Sequence, residues 1–77
     1  GDVYKRQLYN QLQEGMTYDQ VVSILGKEHE IRNTERRQIG NQTYDYLQTA
    51  WYSQDAESDI RITFKNGILH ARHATWR

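Results

Sequence analysis

The sequence predicts an α+β domain: an N-terminal helix-loop-helix packed on one face of a four-stranded antiparallel sheet, a two-layer sandwich. Three stretches predict it. Residues 15–26 carry a short apolar helix with both ends written out. Residues 43–53 are rich in Thr, Tyr and Trp, which favour the pleated state. Residues 59–65 alternate sharply and run into Asn66-Gly67, the strongest short hairpin signal.

The first helix is expected over residues 4–13. Tyr4, Leu8 and Leu12 fall at i, i+4 and i+8, a single narrow stripe among glutamines. Gly15 ends it, and the short link makes a tight helical hairpin. The second helix starts at Thr17, an N-cap residue with Gln20 three positions on to complete a capping box. Met16 and Val21 can form a hydrophobic staple, and Asp19 suits the positive end of the helix dipole. Leu25 closes the apolar face, and Gly26 sits where a left-handed residue would end the helix. A helix this short is unstable alone, so it must dock on the strands.

Residues 29–38 read as a polar edge strand, with charges of both signs that discourage edge-to-edge pairing. Gly40-Asn41 marks a turn. The strand over residues 43–53 is aromatic on both faces and is therefore expected in the middle of the sheet. Leu47, Thr49 and Trp51 share one parity; Tyr44, Tyr46, Gln48, Ala50 and Tyr52 share the other. In the next strand Ile60, Ile62 and Phe64 face the core, with Arg61, Thr63 and Lys65 outward. A two-residue type I′ turn at Asn66-Gly67 pairs Phe64 with Leu69 and Ile62 with Ala71. That register sends His70 and Arg72 outward. A bulge near residues 73–75 is expected to turn Trp76 inward, since so large a side chain is costly to leave wet.

Length and composition narrow the function. Seventy-seven residues make one domain, spanning 1–77, with a thin core. Only 36% of residues are hydrophobic, so the nine aromatics must supply much of the buried area. Ten basic and ten acidic residues give zero formal net charge, against a dedicated nucleic-acid binder. There is no Cys, hence no disulfide framework and no thiolate metal site. No run approaches the length of a membrane span. The chain reads as compatible with a segment of a longer precursor, and membrane anchoring is expected only if such a precursor is lipidated.

The segment from Leu12 through Gly15-Met16-Thr17, Val21 and Leu25-Gly26 resembles the G-M-T-x-x-x-V-x-x-x-L-G signature of bacterial envelope domains. These are the beta-lactamase inhibitory protein repeat, the DUF3862 lipoprotein domains and the BamE (SmpA/OmlA) outer-membrane assembly lipoproteins. The segment Ile60 to Leu69, with Phe64 and Asn66-Gly67, is similar to their hairpin motif. The resemblance implies a helix-loop-helix plus four-strand fold, protein–protein contact rather than catalysis, and an extracytoplasmic setting. The lipid-bearing Cys, the Cys pair of the inhibitor repeats and a second tandem repeat are missing. Anchoring and inhibition therefore do not carry over, whereas the fold does.

The candidate working surface is the outer sheet face. Tyr44, Tyr46, Tyr52, Arg61, His70 and Arg72 are assigned to it as partner-binding residues, with Thr63 and Lys65 beside them. The partner is an unnamed protein. The alternative is a platform for single-stranded nucleic acid, since aromatic and basic side chains on a sheet can stack bases. No metal or cofactor is expected. His70 and His73 fall on opposite faces in this register, and the acidic run Asp55, Glu57 and Asp59 reads as solvated loop charge. Ser23, Ser53 and Ser58 lack the pattern of a nucleophile with a base, so an enzyme is not expected.

Overall fold

A computed structural model describes residues 2–77, with side chains from residue 5 onward. Two helices, α1 (Asp2–Asn10) and α2 (Tyr18–Leu25), precede β1 (Glu30–Ile39), β2 (Gln42–Tyr52), β3 (Asp59–Lys65) and β4 (Ile68–Thr75). The strands form one antiparallel sheet in the order β1-β2-β3-β4. Both helices contribute to a core on one face of it, the α+β arrangement the sequence predicts.

Helix α1 stops three residues short of the expected end. The chain then tightens: the Gln11 and Leu12 N–H groups donate to the carbonyls of Leu8 and Tyr9. This turn drops Leu12 into the core, 2% exposed. The side chain of Tyr4, the first member of the expected stripe, lies outside the described residues. Helix α2 begins as written. The Thr17 hydroxyl accepts from the Gln20 N–H at 3.1 Å, and the Gln20 side chain accepts from the Thr17 N–H at 2.8 Å. Its end differs in detail. Gly26 has positive φ (109°), but with ψ 163° it is extended rather than left-handed helical. That conformation is open to glycine alone. It aims the Gly26 carbonyl at the Trp51 indole N–H, which donates to it at 2.8 Å.

The core joins Leu12, Val21 and Leu25 to Trp51, Ile60, Ile62, Phe64 and Leu69. Leu47 and Trp51 therefore face the helices, as the parity of β2 predicts. The turn between β3 and β4 carries φ of 52° at Asn66 and 79° at Gly67, as a type I′ turn requires. The α1–α2 link runs alongside β4: Gly15 N–H donates to Leu69 O, Leu69 N–H to Met16 O, and Tyr18 N–H to Gly67 O.

One part of the expected register is wrong. The bulge in β4 is at His70, not near residues 73–75. Phe64 pairs with Leu69 but Thr63 pairs with Ala71, so His70 is the extra residue. Everything after it changes face. Ala71 turns to the open side, while Arg72, opposite Ile62, turns to the helix side. There its Nη1 donates to Tyr9 O at 2.6 Å and Leu12 O at 3.1 Å, and its guanidinium lies 4.6 Å from the Tyr9 ring centroid. Arg72 thus caps the C-terminal end of α1, where the helix dipole favours a cation. The same phase turns Trp76 inward, as expected, with its ring edge-on to Tyr9 at 5.8 Å.

Candidate functional site

The sheet face away from the helices is built from rows of directly opposed residues. The first row is Glu35, Tyr46, Lys65 and Ile68; the second is Asn33, Gln48, Thr63 and Ala71; the third is Glu30, Ala50, Arg61 and His73. Five of the six residues assigned to this face lie on it: Tyr44, Tyr46, Tyr52, Arg61 and His70. Arg72 does not, because the His70 bulge sends it to α1. The same bulge places His73 beside Arg61 on the open face, so His70 and His73 share a face after all. Among the described residues, no group of three or more His, Cys, Asp or Glu side chains is placed to hold a metal ion.

The aromatic side chains on this face are held by cations. The Lys65 ammonium sits 4.4 Å from the Tyr44 ring centroid and the Arg37 guanidinium 5.4 Å from that of Tyr46. His70 meets the other side of this group, edge-on to Tyr46 at 6.2 Å. Arg32 donates to the Tyr52 hydroxyl at 2.7 Å. The acids pair locally: Glu35 with Arg37 at 3.0 Å and Asp59 with Arg61 at 3.3 Å. The hydrogen bond to Glu35, with its charge, raises the Arg37 pKa further above its already high value. At the sheet's end, Asp55 accepts from the Ser53 hydroxyl at 2.6 Å and the Glu57 N–H at 3.0 Å. Those two bonds hold its carboxyl below the usual carboxylate range.

A concavity lies on the helix side, where α2 begins and the β1–β2 hairpin runs on. It is a groove of about 530 Å³ with Tyr18, Leu47 and Phe64 against it and the Arg36–Asp45 pair at its rim. Tyr18 is engaged from behind: its hydroxyl is 2.7 Å from His29 Nε2, and its ring packs edge-on to Phe64 at 5.2 Å.

A model of the family described as Beta-lactamase inhibitor (BLIP) matches residues 5–74. The chain belongs to the beta-lactamase inhibitor (BLIP) family. The match takes in α1 from Lys5 onward, the whole of α2, β1, β2 and β3, and β4 up to Ala74. No curated protein matched the chain, and no solved structure did. No helix among the described residues is long and apolar enough to cross a membrane.

Within this BLIP-family fold, the residues the sequence marked as structural fall into place. Thr17 caps α2, Val21, Leu25 and Phe64 are buried, Met16 packs on the core, and Asn66-Gly67 makes the turn. The parity of β2 placed Gln48 on the open face, but Arg32, Arg37 and His73 were not placed there from sequence. A signal existed for Arg37. A two-residue turn at Gly40-Asn41 pairs Ile39 with Gln42, which fixes Arg37 opposite Tyr44 and Glu35 opposite Tyr46. His73 and Arg32 had no such signal, since each owes its position to a bulge.

Proposed function

We propose that this BLIP-family domain is a non-catalytic protein-binding module that engages its partner through the open face of the sheet, in a bacterial envelope or secreted setting. The observation that carries the reading is the uncovered face itself. Tyr44, Tyr46, Tyr52 and Arg61 stand on it, while the core lies wholly on the other side. Tyrosine and arginine are the residue types enriched at interface hot spots. Rings already held by Lys65, Arg37 and Arg32 lose little further freedom on binding. The family's description as beta-lactamase inhibitors supports a protein partner and an extracytoplasmic setting, and makes a β-lactamase the first purified partner to try.

The test separates binding from folding. Wild type, Tyr46→Ala and Arg61→Ala are each melted, titrated against purified β-lactamases, and used to capture proteins from an envelope extract. Each variant is expected to keep its midpoint within about 1 kcal/mol. Each is expected to weaken the partner by about 2 kcal/mol or more. Partners that bind both variants as well as wild type overturn the assignment. Single-stranded nucleic acid is the competing occupant of an aromatic, basic sheet. The acids paired with Arg37 and Arg61, and the zero net charge, count against it. A salt titration with oligonucleotides decides.

A further inference from the structure

The outer edge of β1 is free along the β1–β2 hairpin. Tyr46 pairs with Lys65, the last residue of β3, so residues 36–45 form a ribbon of two strands only. The turn at Gly40-Asn41 fixes which backbone groups that ribbon uses. Ile39 and Gln42 close it as a hydrogen-bonded pair, and in an antiparallel ladder such pairs alternate with unbonded ones. Ile39, Arg37 and Glu35 therefore direct their backbone N–H and C=O groups at β2. Thr34, Arg36 and Gln38 point theirs away from the sheet, and among the described residues no backbone group meets them there. Such an edge is a template for one more strand. The ribbon also lacks cover: every residue of β1 is exposed, Ile39 by 64%.

The charges of β1 rule out most strands that could add there and select one. A second copy of β1, antiparallel about a twofold axis, has few registers that set the outward residues opposite one another. Centring the axis on Glu35 opposes Glu35 to itself, and centring it on Arg37 opposes Arg37 to itself. Centres at Thr34 or Gln38 bring no opposite charges together between the bulge at Arg32 and the turn at Gly40. The axis at Arg36 is different. Thr34 then meets Gln38 of the second copy, Asn33 meets Ile39, and Glu35 meets Arg37 on both sides of the axis. Within one chain Glu35 and Arg37 already lie 3.0 Å apart. Two such pairs, inverted against each other, close a ring of four alternating charges, the favourable cross-strand arrangement. The like-charged contact in this register is Arg36 with its own counterpart. Each Arg36 carries Asp45 at 2.7 Å on the strand behind it, so the row across the axis is neutral.

We propose that β1 is a self-pairing edge: two copies of this chain join antiparallel through residues 33–39, centred on Arg36, as an isologous dimer. Thr34 and Gln38, and Arg36 and its counterpart, exchange backbone hydrogen bonds across the junction. Each ribbon gains the strand it lacks, and Ile39 gains a neighbour in Asn33 of the second copy. The contact is small, so the dimer is weak and the chain is a monomer at the low micromolar concentrations of a melt. The open face of each copy stays uncovered, so the pairing stands apart from the partner-binding reading.

The test follows the whole domain, ¹⁵N-labelled and at low salt, by sedimentation and amide spectra up to about 1 mM. Wild type is expected to dimerise with a Kd on the order of 100 µM. The amides of Thr34, Arg36 and Gln38 are expected to shift with concentration, while those of Ile60, Ile62 and Phe64 hold still. Glu35→Lys and Arg37→Glu each oppose like charges twice. Each alone is expected to weaken association about tenfold or more, with the melting curve unchanged. Mixed in equal amounts, the two variants are expected to recover wild-type affinity: the introduced lysine faces the introduced glutamate, and the native Arg37 faces the native Glu35. The double variant Glu35→Lys/Arg37→Glu keeps the net charge of wild type and is expected to pair as wild type does, which separates register from bulk attraction. A chain that stays monomeric to about 1 mM overturns the proposal and leaves the edge to an extended segment of another protein. So do a dimer that survives either single variant, a mixture no tighter than its components, a double variant that stays monomeric, or concentration-dependent shifts confined to residues outside 33–39.

Discussion

The two hairpins of the sheet share a local code and differ in what lies behind them. Both are antiparallel ribbons closed by a two-residue turn of Gly and Asn. In β3–β4, one face buries Ile60, Ile62, Phe64 and Leu69 beneath the helices. In β1–β2, every residue of β1 is exposed. Its outer half also has no third strand: Tyr46 pairs with Lys65, the last residue of β3, so residues 36–45 run on as a two-stranded arm. The 45 Å long axis of the molecule, against 20 and 18 Å across, reflects that elongation. Turn chemistry and alternation fix which residues face each other in both ribbons. Burial stabilises β3–β4 and the inner end of β2, where Trp51 lies, whereas the arm has no buried face, and a hairpin without one is marginal in water.

The largest expected effect tests that contrast directly. Trp51 is 3% exposed, its N–H is bonded to Gly26 O, and its ring stacks on His29 at 4.8 Å. Trp51→Ala is expected to cost about 3–5 kcal/mol, enough to unfold much of a domain this small. Ile39, at the tip of the arm and 64% exposed, is its counterpart. Ile39→Thr is expected to stay within about 0.5 kcal/mol of wild type in chemical denaturation. Comparable losses from the two substitutions would mean that the arm contributes to the cooperative core.

Next in size is Arg72→Ala. Although Arg72 is exposed to solvent, it donates to the Tyr9 carbonyl in the last turn of α1 and to the Leu12 carbonyl just beyond it, and covers the Tyr9 ring. Its loss is expected to cost about 1–2 kcal/mol in urea unfolding, with α1 amides losing hydrogen-exchange protection first. Arg72→Ala that instead weakens a partner without touching α1 would return this side chain to the open face. This residue also shows where reading the sequence stops. The pattern Leu69-x-Ala71 continues the alternation of β3, and an alanine serves either face. What selects a bulge at His70 is nonlocal: the Leu69 backbone is bonded on both sides to the α1–α2 link, and α1 offers carbonyls to Arg72. No local propensity encodes a partner some sixty residues away.

The fold was legible for the opposite reason. Capping box, alternation and type I′ turn act within a few residues of themselves, so Thr17, Phe64 and Asn66-Gly67 could each be placed from their neighbours. The candidate site was legible where it depends on parity alone, as with Tyr44, Tyr46, Tyr52 and Arg61 in unbulged stretches of β2 and β3. It was lost past a bulge. Arg32 lies in one and His73 beyond another, and each bulge inverts the side of every residue that follows.

A smaller effect isolates how the arm is joined to the body. The Asn66 side chain accepts from the Asp45 N–H at 2.9 Å, while its own N–H donates to Asp45 O at 2.8 Å. Asn66→Gly keeps a residue at ease with positive φ but deletes the side-chain bond. The expected cost is about 1 kcal/mol, and part of it should appear as faster exchange at Asp45 rather than as global unfolding. Unaltered exchange at Asp45 would show that the backbone bond alone holds the arm.

The smallest expected effect lies within the arm. Arg36 reaches Asp45 at 2.7 Å through Nε and at 3.5 Å through a terminal nitrogen, across the β1–β2 pair and in full contact with water. The hydrogen bond to Asp45, then the charge of Asp45, raises the already high Arg36 pKa. Exposed pairs of this kind are screened by salt and contribute little to global stability. Arg36→Gln is therefore expected to leave the urea midpoint where it is. Its effect is expected in hydrogen exchange alone, as faster opening at residues 36–45, and to fade as salt is raised. The amides of Ile60, Ile62 and Phe64 are expected to exchange as in wild type, because they open only with the core. If Arg36→Gln shifts the global midpoint, the arm and the body unfold together, and the independence of the two ribbons fails at the place where only one exposed contact was changed.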